Sequence, residues 1–227
     1  DLLELRHEFQ AEVRGQIVHD SIPRRDGWTE AYRLRCGSEV TGYGLVAVAG
    51  PWKGRPTIFE FDCRRAQRPE VFLWFAALVE TSGARHVEAQ TCHATLTWML
   101  HALGRDVETE KMVFEDGGPT RLTAPAVRLR GLTAADEIAR AMTERRGGGE
   151  WVLERRHTVV ARGGVLFHYN PPYGDLYMEV DPAFRRRGFG AFLVQEIKRQ
   201  TRALGQVPCA RCSPDNLASR QTLQRAG

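Results

Sequence analysis

The sequence of 227 residues lacks a long hydrophobic run, and its first residues lack the apolar core of a signal peptide. No uninterrupted apolar segment approaches the roughly 20 residues needed to cross a bilayer. Residues 1–13 carry charged side chains where a secretory leader would be hydrophobic. The hydrophobic fraction of 42%, with both charge signs present, is typical of a folded chain. We therefore expect a folded cytoplasmic protein that makes no membrane contact.

Cysteine is scarce, and its odd count of 5 does not suit a disulfide framework. Cys209 and Cys212 have the spacing of a zinc knuckle, but no second pair of Cys or His residues lies at a fitting distance. We therefore expect reduced thiols, with this pair on a strand facing a core, and no metal site.

The sequence also lacks a segregated charge of one sign. The formal net charge is +4 and the pI is near 9.0, yet acidic residues are interspersed with the arginines along almost the whole chain. A nucleic-acid partner would favour a continuous basic face or a recognisable binding module. Neither is present, so nucleic acid is an unfavoured partner.

The clearest interruption of patterned sequence is the turn-rich segment at residues 115–127. It predicts two domains, residues 1–122 and residues 123–227. The two portions look like diverged copies of one unit, in which a strand, an amphipathic helix, a second strand and a second helix follow in order. The final strand and helix lie between Gly83 and Gly104 in the first copy, and between Gly205 and Gly227 in the second.

The second portion predicts a mixed α/β domain. A strand near residues 126–132 precedes a helix over residues 133–146, and two strands joined by tight turns at Gly163 and Gly164 follow. In the next strand Leu176, Met178 and Val180 alternate with Tyr177 and Glu179, which predicts two different faces.

The segment Arg185–Gly190 (RRRGFG) stands where this strand gives way to a helix. A glycine-rich turn entering a helix can direct several backbone N–H groups at one anion, and adjacent arginines can neutralise it. The spacing Arg-x-x-Gly-x-Gly is neither the dinucleotide-binding fingerprint nor a Walker loop. The first copy has DCRRAQRPE at this place, which keeps arginines but lacks both glycines.

The order Val-x-Pro, Arg-x-x-Gly-x-Gly, then Asn216 and Ser219 resembles the GNAT superfamily of acyl-CoA-dependent N-acetyltransferases. The motifs cover residues 175–227, and the order of elements extends the resemblance back to about Val127. The chain is thus similar to a tandem GNAT protein with a degenerate first domain. The implied fold class is α+β (mixed α/β), with two GNAT-like domains, each a mostly antiparallel sheet flanked by helices.

The resemblance implies that acetyl-CoA binds the second domain, chiefly through backbone N–H groups of the loop. Val180 would lie beside the pantetheine arm and the thioester, with its backbone on the oxyanion side, and Asn216 would contact the pantetheine region. Asn216 can equally cap the last helix. The complete implied cofactor site is Val180, Arg185, Arg186, Arg187, Gly188, Phe189, Gly190, Ala191 and Asn216.

Glu179 is the candidate general base because it adjoins the strand end where the thioester is expected. Its face could instead be exposed to solvent. Many members of the family have a Tyr seven residues after the Asn as general acid, whereas this sequence has Leu223 there. The general acid is therefore unassigned.

The segment His168–Asp175 (HYNPPYGD) joins two predicted strands and is expected near the reaction centre. His168, Tyr169 and Tyr173 are candidate acceptor-binding residues on a loop stiffened by two prolines. A tight, well-packed turn would have the same composition.

The resemblance implies transfer of an acetyl group from acetyl-CoA to a primary amine of a small molecule or protein by direct attack. A non-catalytic acyl-CoA-binding or regulatory protein is the alternative, and the sequence does not decide between a monomer and a homo-oligomer. The second copy lacks a counterpart of the strand-like segment after Gly104. Either the natural chain continues past Gly227 or a strand is supplied from elsewhere.

Overall fold

The computed structural model describes residues 2–133, 136 and 147–227. The chain forms two compact units, Asp1–Glu108 and Thr109–Gly227. This division falls earlier than the predicted boundary between residues 122 and 123. Of the helix predicted over residues 133–146, only Thr133 and Asp136 are described, and the rest lies outside the described residues.

The first unit contains a four-stranded sheet in the order β1-β2-β3-β4. All neighbouring strands are antiparallel except β3 and β4, which are parallel. The elements are α1 (Leu2–Val13), β1 (Thr29–Cys36), β2 (Glu39–Ala47), β3 (Thr57–Cys63), α2 (Val71–Ser82), β4 (His86–Val87) and α3 (Ala94–Leu103).

Strand β3 is buried along its entire length because both faces of the sheet are covered. On one face Phe61 packs with apolar residues of α2 and α3. On the other face Phe59 packs with Leu5 and Phe9 of α1. Although β3 is buried between these two cores, it also carries two acidic residues, Glu60 and Asp62.

The second unit contains a six-stranded sheet in the order β5-β10-β9-β8-β7-β6. Among its described strands, β9 and β10 pair in parallel and all other neighbours are antiparallel. The elements are β5 (Met112–Phe114), β6 (Arg128–Gly131), β7 (Gly147–Arg155), β8 (Thr158–Leu166), β9 (Tyr173–Val180), α4 (Phe189–Ala203), β10 (Val207–Cys212) and α5 (Leu217–Arg225).

The alternation predicted for β9 is confirmed. Leu176, Met178 and Val180 pack on the core cluster that includes Leu193 and Ile197 of α4. Glu179 lies on the opposite face and is exposed. Helix α4 therefore covers one side of the sheet and fixes the direction in which the end of β9 meets the following loop.

The strand-like segment after Gly104 was predicted to be the final strand of the first copy. It is strand β5, and it belongs to the sheet of the second unit. Met112–Phe114 pairs antiparallel with Ala210–Cys212 of β10. The same segment is tied to α4, where Asp116 forms ion pairs with Lys198 at 2.9 Å and with Arg202 at 2.6 Å. The strand that the second copy was expected to lack is thus supplied from before that copy.

Gly163 and Gly164 do not form a turn as predicted, since both lie inside β8. The turn between β7 and β8 is at Arg156 and His157, both at positive φ. A Cβ on Gly163 would lie 2.4 Å from the Tyr177 carbonyl oxygen and 2.7 Å from the Ile197 side chain. The glycine is therefore required by close packing within the sheet.

The two units repeat one order of elements, as predicted. In the first unit β3, α2, β4 and α3 follow each other, and in the second β9, α4, β10 and α5. Equivalent residues occupy equivalent places, because His93 is the N-cap of α3 and Asn216 is the N-cap of α5. The predicted α+β class, with helices flanking two mostly antiparallel sheets, is confirmed.

Candidate functional site: the loop between β9 and α4

The loop after Val180 is built from local capping contacts. Asp181 accepts a hydrogen bond from the backbone N–H of Ala183 at 2.8 Å and thereby caps a short 3₁₀ turn at Pro182–Phe184. The chain then passes through Arg186 at φ 61° and Gly188 at φ 81° before α4 begins. Gly188 is the N-cap, and this left-handed conformation favours glycine.

The backbone N–H groups from Arg186 to Ala191 donate no hydrogen bond within the described part of the chain. The first helical bond runs from Phe192 N to Gly188 O at 3.1 Å. These N–H groups stand at the N-terminus of a 15-residue helix, where the helix dipole is positive. The arrangement suits an anion with several oxygens, such as a diphosphate.

The arginine side chains differ in what they contact. Arg185 donates from Nε to the Val180 carbonyl oxygen at 3.1 Å. Arg187 donates to the Ala183 carbonyl oxygen at 3.3 Å and lies over the Phe184 ring. All three arginines of the loop are exposed. Two guanidinium groups thus brace the loop while their charge stays available at its surface.

Gly190 packs closely in the first turn of α4. A Cβ there would lie 3.2 Å from the Thr222 methyl group and 3.3 Å from Val180 Cγ2. Ala191 and Phe189 are buried beside it. Because there is no Cβ, α4 can lie close to both the end of β9 and to α5.

Strands β9 and β10 diverge toward this loop. They pair only from Val207 opposite Tyr173 to Ala210 opposite Leu176, whereas β9 continues to Val180. On its other edge, Ala210–Cys212 of β10 pairs with β5. The result is a gap along one edge of β9 that opens toward the loop.

The backbone of Val180 faces this gap. Asp181 donates its N–H to Val160 of β8 at 3.0 Å. Backbone groups of successive residues in a strand alternate between its two edges. Met178 and Val180 therefore direct their N–H and C=O groups away from β8, toward the edge from which β10 has diverged.

The carboxylate of Glu179 is 56% exposed and pairs with a cross-strand arginine. Its Oε2 accepts from Arg162 Nη2 at 2.5 Å and from Nε at 3.0 Å. The sequence pattern gave no sign of this partner, because it depends on the register that sets Arg162 opposite Glu179. The structure places the ion pair on the face of the sheet opposite α4.

A second polar pair on that face was also missed. Tyr177 Oη donates a hydrogen bond to Glu150 Oε1. The register sets Glu150 opposite Gly164 and Gly164 opposite Tyr177, so the phenol reaches across β8 where a side chain is missing. The adjacent glycines were the visible signal, but only the strand register shows which side chains they bring together.

Asn216 and Leu223 have clear structural roles. The Asn216 side chain accepts a hydrogen bond from Ser219 N at 3.0 Å, which is an N-cap contact. Asn216 is exposed, so this role leaves its amide accessible. Leu223 is buried in the core of the second unit, and its side chain has no proton to donate.

The structure does not bring His168, Tyr169 and Tyr173 to the loop. Tyr173 begins β9 and Val180 ends it, so the two ends lie roughly 23 Å apart at the usual rise of a strand. His168 Nε2 lies 2.9 Å from Asp175 Oδ2, and Tyr169 is buried. The segment therefore lies at the end of β9 opposite to the loop.

Burial is the main cause of the shifted pKa values of Tyr169 and Cys209, which lie near the start of β9. It raises the pKa of the Tyr169 phenol well above its usual range, and the nearby Asp175 carboxylate adds to the shift. The thiol of Cys209 has a pKa raised to about 12, again chiefly by burial. These groups keep their protons at neutral pH.

All five cysteines are free thiols. Among the described residues, His, Cys, Asp and Glu form no group of three or more arranged to hold a metal ion. Nor does that part of the chain include a helix long and apolar enough to span a bilayer.

Residues 165–227 match the family model described as FR47-like protein. The match begins within β8 and includes β9, the loop, α4, β10 and α5. No curated protein sequence matches the chain.

Solved structures extend the likeness to the whole chain. An acetyltransferase of the GNAT family from Colwellia psychrerythraea superposes with a TM-score of 0.70 at 14% identity, covering 100% of this chain and 92% of that one. A tandem GNAT protein from the clavulanic acid biosynthesis pathway gives 0.52 at 13% identity, over 88% and 80% of the two chains. A GCN5-related N-acetyltransferase from Sphaerobacter thermophilus gives 0.52 at 13%, over 82% and 73%. The predicted tandem GNAT fold is confirmed.

Proposed function

We propose that the second unit transfers an acetyl group from acetyl-CoA to a primary amine of a small molecule or protein. The observation that carries this proposal is the set of N–H groups from Arg186 to Ala191, which have no acceptor among the described residues and stand at a helix N-terminus beside a gap in the sheet. The GNAT fold of the chain supports acyl transfer as the class of reaction.

In this proposal the loop holds the diphosphate of acetyl-CoA. The N–H groups around Gly188 and Gly190 supply hydrogen bonds, and the helix dipole favours the negative charge. The exposed arginines of the loop add positive charge at its edge. Gly188 keeps the approach to these N–H groups clear, since the position of its absent Cβ is open, with no described atom beyond its own chain neighbours within 4 Å.

The pantetheine arm would follow the gap between β9 and β10. The backbone groups of Met178 and Val180 face it and can pair with the amide groups of the arm, much as a strand would pair with a sheet edge. Asn216 stands at the start of α5, which follows β10, and its exposed amide can contact the same arm.

The chemistry assigned to the chain is direct acyl transfer. The acceptor amine attacks the thioester carbonyl carbon, forming a C–N bond while the C–S bond breaks and the thiolate of CoA leaves. The Val180 N–H stabilises the developing oxyanion, and Glu179, held by Arg162, accepts the proton lost by the amine. We assign no general acid because Leu223 has no ionisable group.

Calorimetric titration of acetyl-CoA into the full chain tests the cofactor site. We expect one site per chain and an affinity weaker by about 100-fold or more in the Arg185→Ala, Gly188→Glu double variant, because charge complementarity is lost and reversed. A matched control is Gly54→Glu, Arg55→Ala, which changes a positive-φ glycine and an exposed arginine of the first unit. Absence of binding by the folded protein, or equal losses in both variants, would overturn the proposal.

A non-catalytic acyl-CoA-binding protein is the second candidate, and the burial of Leu223 favours it. The two candidates differ in turnover. Release of CoA thiol is measured with a panel of primary amines that includes diamines, amino acids, aminoglycosides and peptides with a free N-terminus. Binding without turnover on the entire panel would favour the non-catalytic protein.

A further inference from the structure

A cavity of about 200 Å³ opens in the first unit between α1 and the end of β3. Its inner wall includes Tyr43 and Cys63, which are almost fully buried, and the carboxyl group of Asp62. Its rim carries charges of both signs, from Glu12 of α1 and from Arg65 and Arg68 of the following loop. Most of a ligand with about ten heavy atoms would fit in this volume.

The strand register shows what this cavity corresponds to in the second unit. Asp62 lies opposite Tyr43 in the first sheet, as Glu179 lies opposite Arg162 in the second. Cys63 ends β3 as Val180 ends β9. The cavity therefore stands at the position where the second unit has its proposed reaction centre.

This cavity has no counterpart of the diphosphate site. The loop that follows β3 is a 3₁₀ helix, Arg65–Glu70, which contains Pro69 and no glycine. Its N–H groups serve internal bonds, for example from Gln67 to the Arg64 carbonyl oxygen at 2.9 Å. A ligand of this cavity would be recognised without a nucleotide.

Asp62 is an incompletely paired carboxyl group at the inner wall. Its Oδ1 lies 3.4 Å from Thr95 Oγ1 and 3.6 Å from Arg68 Nη2, and the Cys63 backbone N–H also contacts the carboxyl group. Arg68 is directed instead to Glu12, with hydrogen bonds of 2.8 and 2.7 Å. Burial raises the pKa of Asp62 to about 6, although Arg68, the Cys63 N–H and Thr95 act against this shift. An ammonium group of a ligand would supply the missing partner.

Arg65 is the complementary group at the rim. Its guanidinium is 84% exposed, and its nearest acidic group, Glu12, is 3.8 Å away and is already bound by Arg68. Arg65 can therefore form a bidentate contact with a carboxylate. The cavity thus offers a buried carboxylate at its inner wall and, at a rim of mixed charge, an exposed guanidinium with only a distant acidic partner.

We propose that this cavity binds a small zwitterion, an α-amino acid or a compound with the same charge pattern. The ammonium group binds Asp62 and the carboxylate binds Arg65, while the ring of Tyr43 and the thiol of Cys63 line the wall beside the side chain. The proposal concerns the first unit alone. It stands whether or not the second unit transfers acetyl groups.

The test is ligand-observed NMR of the full chain with mixtures of the twenty protein amino acids, followed by calorimetry of those that bind. No acetyl-CoA is added, so the result is separate from the proposed activity. We expect Asp62→Asn and Arg65→Ala each to weaken the affinity by about tenfold or more, because each removes a charge-assisted contact. Glu110→Gln, an exposed carboxylate elsewhere, is expected to leave it unchanged.

If Asp62→Asn fails to fold, Arg65→Ala still tests the proposal, because the Arg65 side chain is at the surface and its loss should not prevent folding. Putrescine and succinate, which carry only one sign of charge, are titrated as well. Binding of an amino acid that both variants weaken, with neither of these two compounds bound comparably, supports the proposal. No binding of any amino acid at about 10 mM, where even weak millimolar affinity is detectable, overturns it. So does binding that neither variant weakens.

Discussion

The loops at equivalent places in the two units differ in whether their backbone N–H groups are hydrogen-bonded. In the second unit the N–H groups from Arg186 to Ala191 are unpaired within the described chain, and Gly188 is the N-cap of α4. In the first unit, N–H groups of the loop before α2 form hydrogen bonds within that loop, and Pro69 has no N–H. Glycine placement, rather than arginine content, thus distinguishes the loop whose N–H groups are left for an anion from the loop that is a structural turn.

The arginines of the two loops also differ in the groups that they contact. Arg68 of the first unit is bound by Glu12 of α1, and Arg64 lies 3.6 Å from Glu8 of the same helix. In the second unit Arg185 and Arg187 bond only backbone carbonyl oxygens of their own loop, within the described chain. Acidic side chains of α1 thus stand where the second unit is proposed to receive phosphates.

The largest effect is expected from the buried charges of the first unit. Arg6 contacts Glu60 at 2.9 Å and Asp20 at 2.8 Å, and both carboxylates are 2% exposed. Arg6→Ala would leave two buried carboxylates without their main cation. We expect the free energy of unfolding to fall by about 3–5 kcal/mol in urea titrations.

The control for Arg6 is Arg24→Ala. Arg24 also contacts Asp20, but its guanidinium is 58% exposed, so its loss is expected to cost less than about 1 kcal/mol. Acetyl-CoA affinity in calorimetry should survive in any folded Arg6 variant if the two units have separate roles. Equal destabilisation by the two substitutions would contradict the assignment of Arg6 as the central cation of the network.

An intermediate effect is expected at the N-cap of α3. His93 donates from Nε2 to the Phe61 carbonyl oxygen at 2.9 Å, and burial lowers its pKa to about 4. The unfolded chain therefore binds a proton at higher pH than the folded chain does. Stability should be lost as the pH falls from about 6.5 through 4, by up to about 3 kcal/mol.

This contribution is isolated by comparing the wild type with His93→Gln across that range in thermal or urea unfolding. Gln keeps an N–H donor but does not titrate, so its stability should fall less steeply on acidification. Asp62 has the opposite sign, since its raised pKa makes stability fall as the pH rises from about 4 to 6. It is present in both proteins and cancels in the difference, and identical pH profiles would refute the role of His93.

The smallest effect is expected at the equivalent N-cap of α5. Asn216→Ala removes the hydrogen bond from Ser219 N and should cost about 1 kcal/mol of stability, measured by thermal unfolding. Asn216→Asp keeps the cap and should be close to wild type in stability. If the amide also contacts the cofactor, both variants bind acetyl-CoA more weakly. Full affinity in Asn216→Asp would limit the residue to capping.

Local patterns in the sequence predicted the parts of the fold that depend on near neighbours. The alternation around Met178 and the helical spacing after Phe189 led to β9 and α4, and the glycines of the loop marked the turn between them. The repeat predicted the same order of strands and helices in the two units, which the structure shows. These features follow from periodicity and capping, which act over a few residues.

Features that depend on distant pairing were missed or misplaced. Gly163 and Gly164 have the composition of a turn, but their role is set by Ile197 and Tyr177, which only the folded sheet brings close. The segment His168–Asp175 lies at the start of β9, away from the loop, and composition alone does not reveal that distance. The network around Arg6 joins residues as far apart as Glu60, beyond the reach of any local pattern.

The pairing of β5 with β10 has a consequence for how the gene can evolve. The strand is encoded ahead of every other element of the second unit, yet it lies beside the strand that is encoded close to the end. A recombination that moved only the repeat beginning near β6 would leave that edge of β10 bare. A segment that carries the complete six-stranded sheet must therefore begin ahead of β5, as the second unit does at Thr109.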